Sequence, residues 1–194
     1  MSDMTLIDAA FEVIASHGID GVTVDRLAEA SGISRATLYR RGISIDELTA
    51  AAIDKATEQY REALWPALTG PGDAASRLEA ALRALCESAD QHLALLISLY
   101  PHPHSPFHQQ DADGGALVRE PFAEPFERLL RDGMTDGTLQ SHNPPVDATV
   151  LFNLVSWTYV HLRHAHHWPP DEAADHILTL VLGGILPRRA PNRT

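Results

Sequence analysis

The stretch Gly21-Val22-Thr23-Val24-Asp25-Arg26-Leu27-Ala28-Glu29-Ala30-Ser31-Gly32-Ile33-Ser34-Arg35-Ala36-Thr37-Leu38-Tyr39-Arg40-Arg41 decides how the chain reads. Thr23 is a hydroxyl residue placed to cap a short helix whose inward residues are Val24, Leu27 and Ala28. Ser31-Gly32-Ile33 breaks the helical period. Ser34 then caps a second short helix, over about 35–40, with Leu38 inward. The small side chain of Ala28 and a tight turn at Gly32 let two such helices cross at roughly 90–120°. A helix-turn-helix of this kind presents the first residues of its second helix outward, where they can enter a DNA major groove.

Local charge agrees with that reading although the total does not. Over residues 26–45, Arg26, Arg35, Arg40 and Arg41 stand against one acid, Glu29, a net of +3 in a chain of formal charge −11. All but one of the 15 basic residues are arginine, the exception being Lys55. A guanidinium forks onto phosphate oxygens or onto the O6/N7 edge of guanine, which an ammonium does less specifically. Thr23, Ser34, Thr37 and Tyr39 add short donors suited to phosphates and base edges. The acidic remainder is repelled by DNA and so restricts which face can dock.

Working outward, nearly every segment has helical period. A first helix spans about 5–16, with Leu6, Ala10, Val13, Ile14 and His17 on one face and Gly18 as its stop. Ser44 and Glu47 form a capping box, flanked by the staple pair Ile43 and Leu48, that opens a fourth helix reaching about residue 64, before Pro66. Asp73 opens a fifth, with Leu78, Leu82, Leu85 and Ala89 on one face, and a sixth covers about 92–100. Residues 101–116 read as a loop. Pro121 and Pro125 demand a kinked or late-starting helix over about 120–133, stopped by Asp136-Gly137. A long helix, 147–166, follows Pro144-Pro145. The last, 171–186, carries apolar pairs at 173/174, 177/178, 181/182 and 185/186, a stripe broad enough for a partner subunit. Gly183-Gly184 would let another backbone approach it closely. The expected fold is all-α with about nine helices and a boundary near residue 45.

Composition excludes several classes. A chain of 194 residues, 44% hydrophobic, can bury a core. A single cysteine, Cys86, excludes an internal disulfide framework and a cysteine-based zinc site. No apolar run approaches the ~20 residues of a membrane helix, and the start lacks the features of a signal peptide, so a cytoplasmic protein without membrane association is expected. No G-x-S-x-G, no H-E-x-x-H and no glycine-rich phosphate loop occurs, so neither an enzyme nor a cofactor is expected. Cys86 on an apolar helix face reads as an inert thiol. The 11 histidines include His102, His104 and His108 in the loop, and His161, His164, His166 and His167 at a helix end. His161 and His164, three apart, could share a metal, which keeps a histidine-rich metal sensor or a helical metalloenzyme as the alternative. Their spacing matches no specific site, and no metal is assigned.

The run from Gly21 to Arg41 resembles the signature of the TetR family of bacterial transcriptional regulators nearly position by position. Ala9-Ala10-Phe11 to His17-Gly18 fits that family's first helix, and Asp46-Glu47-Leu48 its fourth. The close match covers about residues 5–55. The resemblance implies a helix-turn-helix DNA-binding domain over 1–45 and a helical ligand-binding and dimerisation domain over 46–194. It implies that Thr23 and Arg26 contact phosphates, that Ser34, Arg35, Ala36 and Thr37 face the groove, and that Tyr39, Arg40 and Arg41 hold phosphates. Arg35 and Thr37 would be the readers of base edges.

It further implies a homodimer through the last two helices on a palindromic double-stranded operator, and repression relieved by a small-molecule inducer. The inducer, by default apolar or aromatic, would sit between the middle helices. Trp65, Leu82, Cys86, Leu96, Tyr100, Phe107, Phe122, Phe126 and Trp157 are the bulky candidates to contact it, although residues of this kind are most often core. The chain departs from the family at Gly42, where an aromatic residue is usual, and at Ile45, where a phosphate-binding lysine is usual. It also has Asp3 and Asp8 where basic residues often precede the first helix.

Overall fold

The computed structural model describes residues 3–99 and 122–185, which form nine α-helices and one 3-10 turn and no strand. In order these are α1 Asp3–His17, the 3-10 turn Ile19–Gly21, α2 Val24–Ser31, α3 Arg35–Arg40 and α4 Ile45–Thr69. They continue with α5 Ala74–Gln91, α6 Leu93–Leu99, α7 Glu124–Asp136, α8 Pro144–Ala165 and α9 Pro170–Ile185. The helices sort into two compact units, one holding the chain up to Tyr60 together with α6, the other holding residues 61–90 with α7, α8 and α9.

The first unit is built around α1. Leu6, Ala9, Ala10, Val13 and Ile14 form its buried stripe and share one core with Leu27, Ile33 and Leu38 of the helix-turn-helix, Ala52 and Ala56 of α4, and Leu95 and Leu99 of α6. Each fully buried leucine here contributes about 1.5–3 kcal/mol. The unit reaches past residue 45 because the first half of α4 and all of α6 supply this core. His17 does not join the stripe as its spacing suggests. It is exposed in the last turn of α1, where the chain turns away at Gly18, and its Cβ lies where a side chain on Gly21 would have to go.

Each short helix of this unit is fixed by its ends. Thr23 Oγ1 accepts from the Arg26 N–H at 3.3 Å and Ser34 Oγ from the Thr37 N–H at 3.2 Å. Ser44 Oγ accepts from the Glu47 N–H at 3.2 Å and opens α4. Gly32 closes α2 at φ 70°, in the left-handed region that glycine adopts without steric cost. Gly42 does the same for α3 at φ 63°. The Gly42 N–H donates to the Tyr39 carbonyl at 3.0 Å and the Ile43 N–H to the Leu38 carbonyl at 3.4 Å. That is the Schellman pattern, and the hydrophobic contact that accompanies it is present, since Ile43 and Leu38 belong to one core. Gly42 is therefore a helix stop. Gly42→Ala is expected to lower unfolding free energy by about 1–2 kcal/mol, measured in urea; an unchanged midpoint would show that the left-handed stop is dispensable.

His92, just before α6, is half-buried against α1, with both ring nitrogens buried. Its ring meets Phe11 edge-on at 5.5 Å, and neither ring nitrogen has a hydrogen-bond partner among the described residues. Burial pushes its pKa below the ordinary 6.5. The unfolded chain then takes up this proton at higher pH than the folded one does. The stabilisation is complete above about pH 6.5 and is lost as pH falls through that value toward the folded pKa. His92→Phe is expected to flatten this acid limb in urea melts run across a pH series. Equal pH slopes in both proteins would clear His92 of that role.

The second unit buries Leu78, Leu82, Leu85 and Cys86 of α5, Phe126, Leu129 and Leu130 of α7, Leu151, Phe152, Val155 and Tyr159 of α8, and Ala173, Ala174, Ile177 and Leu178 of α9. Polar links tie its helices. Asp136 at the end of α7 accepts the Ala74 N–H that begins α5 at 3.0 Å, and Arg77 donates to Asp132 at 3.1 Å. Arg163 of α8 donates to Asp90 of α5 at 2.6 Å, and Arg83 to Asp175 of α9 at 2.9 Å.

Prolines set three boundaries differently from the sequence reading. α4 does not stop before Pro66 but continues through it to Thr69. The carbonyl that loses its donor belongs to Glu62, an exposed residue two turns from the helix end. α7 is the late-starting form, with Pro125 in its first turn, where the missing N–H costs nothing. Pro121 lies outside the described residues. α8 begins on Pro144 itself for the same reason.

The apolar pairs of α9 also divide. Those at 173/174 and 177/178 are buried within the unit and 181/182 are half-buried, while Leu186 lies outside the described residues. The apolar surface left uncovered lies mainly on α8, where Val146, Val150 and Leu154, four residues apart, are 53%, 57% and 50% exposed. On α9 Leu180 is 80% exposed. A Cβ on Gly183 would meet nothing within 4 Å, so none of the described residues uses the close approach that Gly183 permits.

Candidate nucleic-acid interface

α3 is held from below and at both ends, which leaves one face to solvent. Leu38 anchors it in the core. Ser34 caps its start, and its hydroxyl also pairs with that of Thr37 at 2.9 Å. Arg35, Ala36, Tyr39 and Arg40 are exposed, and Thr37 is half-buried. Tyr39 is 70% exposed, so its hydroxyl is free to meet a phosphate and its ring is not part of the core. Arg40 and Arg41 form no ion pair among the described residues. The structure thus brings Ser34, Arg35, Ala36, Thr37, Tyr39, Arg40 and Arg41 onto one short, rigid element.

Thr23 and Arg26 belong to the neighbouring helix start and also have structural work. Thr23 caps α2, and Arg26 Nη1 donates to the Gly21 carbonyl at 2.8 Å, fastening the 3-10 turn to α2. Ile45, in the position the family usually gives to a lysine, packs on the core of the first unit. Asp25, on the second residue of α2, binds Arg35 Nε at 2.8 Å. Sequence reading passed over Asp25. The only signal available was an acid ten residues before an arginine, and a turn of known geometry is needed to bring them together.

The candidates for a ligand pocket scatter. Trp65 is 64% exposed and is not a core residue. The inward positions of this part of α4 are Tyr60 and Leu64, and Trp65 follows Leu64 by one residue, about 100° around the helix. Leu96 is half-buried on α6, in the first unit. Tyr100 and Phe107 lie outside the described residues. The second unit does gather Leu82, Cys86, Phe122 and Phe126 in its interior, with Trp157 half-buried. The Phe152 ring, absent from the sequence-based set, joins this group at 5.5 Å from Phe122 and 6.4 Å from Phe126. One turn further along α8, the buried Ser156 hydroxyl has no hydrogen-bond partner among the described residues. Burial pushes the Cys86 thiol up to about 12, which keeps it protonated and unreactive.

Among the described residues, no three histidines, cysteines or acids are placed to hold a metal ion together. His161 and His166 share a hydrogen bond between Nε2 atoms at 3.2 Å, and His176 stacks edge-on against Trp168. His102, His104 and His108 lie outside the described residues. No helix among the described residues is long and apolar enough to cross a membrane.

Comparison with known proteins bears on both units. Residues 6–52 match the model of the bacterial regulatory proteins of the tetR family, and residues 71–185 match a tetracyclin repressor-like C-terminal domain. The HTH-type transcriptional repressor KstR2 of Rhodococcus jostii is 27% identical over 189 residues, covering 93% of this chain and 89% of that protein. Among solved structures, the Bacillus subtilis transcriptional regulator FadR in complex with stearoyl-CoA superposes with a TM-score of 0.72 at 16% identity, covering 95% of this chain and all of that one. The ketosteroid transcriptional regulator KstR2 of Mycobacterium tuberculosis gives 0.69 at 16% identity, covering 97% of each chain.

Proposed function

Because the chain belongs to the tetR family of bacterial regulatory proteins, we propose that it is a transcriptional repressor that binds a two-fold symmetric operator as a homodimer and leaves it when a small molecule binds. Residues 1–45 carry the DNA-reading head and 46–194 the ligand-binding and dimerising body. Its place of action is the cytoplasm, and it performs no catalysis. The observation that carries the reading is α3. It sets Arg35, Ala36, Tyr39 and Arg40 on one exposed face above a buried Leu38, in a stretch of net positive charge. Arg35 and Thr37 read base edges, and Ser34 and Ala36 line the groove between them. Tyr39, Arg40 and Arg41 hold phosphates, with Thr23 and Arg26 at the groove's edge.

The dimer forms through the apolar stripe Val146, Val150 and Leu154 of α8 together with α9. Two-fold symmetry then spaces the two reading helices by about one DNA turn, ~34–36 Å, or a multiple of it. The ligand is a bulky apolar molecule. A steroid or a long acyl thioester fits this description, and the names of the similar regulators point the same way. Phe122, Phe126 and Phe152 supply apolar contact, and the Ser156 hydroxyl supplies a polar one. Binding favours a dimer geometry in which the reading helices no longer match the groove.

Selection of bound duplexes from a random DNA pool tests the reading. A two-fold symmetric site is the expected result, and absence of any enriched sequence with folded, dimeric protein overturns it. Salt dependence gives an independent measure. With Arg26, Arg40 and Arg41 from each subunit on phosphates, the slope of log K against log salt is expected to be about −5, with a smaller magnitude in Arg40→Ala. An unchanged slope in that variant would place Arg40 off the phosphates.

A further inference from the structure

Asp25 and Arg35 face each other across the turn between α2 and α3, and both side chains are well exposed. The contact is specific in its atoms. Asp25 Oδ1 lies 2.8 Å from Nε of the guanidinium as an ion pair, and the two terminal nitrogens carry no partner among the described residues. Those terminal nitrogens form the end-on fork that matches O6 and N7 of guanine. An ion pair this exposed adds little to folding stability, so its consequence lies elsewhere.

We propose that Asp25 is a positioning residue for base reading: it grips Arg35 by Nε and presents the free end of the guanidinium to a guanine edge in the major groove. This rests on the reading of α3 given above. Two physical effects follow. An exposed arginine samples many rotamers and must give them up on binding. One already held by its Nε loses fewer, and the loss is recovered as a preference for the base that accepts both forks. A carboxylate at the protein–DNA surface also repels phosphates whatever the base sequence, so its removal does not weaken binding to an unrelated duplex. Arg40 and Arg41, without such a partner among the described residues, are suited to phosphates, where reach matters more than aim.

The test compares wild type with Arg35→Ala, Asp25→Ala and Asp25→Asn, using the full-length protein at one fixed salt concentration. Binding-site selection on wild type and Arg35→Ala identifies the base pair whose preference depends on Arg35. Affinities are then measured for the selected operator, for the operator with that base pair changed in both half-sites, and for an unrelated duplex. Asp25→Ala is expected to lower discrimination at that base pair about ten-fold, while binding to the unrelated duplex stays equal or tightens. Asp25→Asn, which still offers an oxygen to Nε, is expected to keep part of the discrimination. Thermal unfolding of all variants within a degree or two of wild type accompanies this result. Unchanged or sharper discrimination in Asp25→Ala overturns the proposal, because Asp25 would then only compete with DNA for Arg35. A base-pair preference indifferent to Arg35→Ala overturns it too. A wild type that selects no site removes the reading of α3 and this inference with it, whereas a selected site with an indifferent Asp25→Ala removes this inference alone.

Discussion

Leu154→Arg on α8 is expected to turn a dimer into monomers without unfolding the subunit. Leu154 is half exposed in the single chain, so a long polar side chain there has room, and substitutions at such sites change stability by within about 0.5 kcal/mol. In the proposed dimer the same position belongs to an apolar stripe with Val150 one helical turn away and Val146 two turns away. Placing a guanidinium there removes an apolar contact and desolvates a charge at the proposed interface. A buried apolar interface residue of this kind costs about 2–4 kcal/mol, or roughly 30- to 1000-fold in the dimer dissociation constant. Sedimentation equilibrium reads the association and circular dichroism the fold. Operator affinity should fall in parallel, since a monomer engages one half-site. A variant that remains dimeric with wild-type affinity would move the interface off α8.

Leu38→Ala is expected to be the most damaging single truncation in the reading head. Leu38 is 1% exposed and is both the core anchor of the six-residue α3 and the residue whose carbonyl receives the Ile43 N–H. So short a helix has no stability of its own and persists through tertiary packing. Truncation removes the buried side chain and leaves a cavity, at a cost of about 2–5 kcal/mol. Hydrogen exchange should show α2 and α3 opening, with loss of operator binding. Tyr39→Ala, one residue on and exposed, should leave stability near wild type and change only DNA affinity. If Leu38→Ala were as mild as Tyr39→Ala in denaturant, α3 would not depend on this anchor.

The sequence by itself determined what local chemistry determines. Thr23, Ser34, Ser44 and Asp73 each cap the helix that their own position announces, because a cap joins a side chain to an N–H two or three residues away. The helix-turn-helix and its basic run were legible for the same reason, and the order of nine helices followed from hydrophobic period. Tertiary structure decided what distance along the chain conceals. Trp65 was a pocket candidate until its phase against Leu64 placed it in solvent, and one residue of phase is more than composition can resolve. Gly42 read as a departure from a family pattern until backbone geometry showed a left-handed helix stop. Phe152 had no local signature because its ring neighbours Phe122 and Phe126 come from elsewhere in the chain, and Ser156 and His92 had none because a buried polar atom without a partner among the described residues is defined by neighbours drawn from several helices. Asp25 is the sharpest case. Ten residues separate it from Arg35, and only the crossing of α2 and α3 brings its carboxylate within 2.8 Å of the guanidinium.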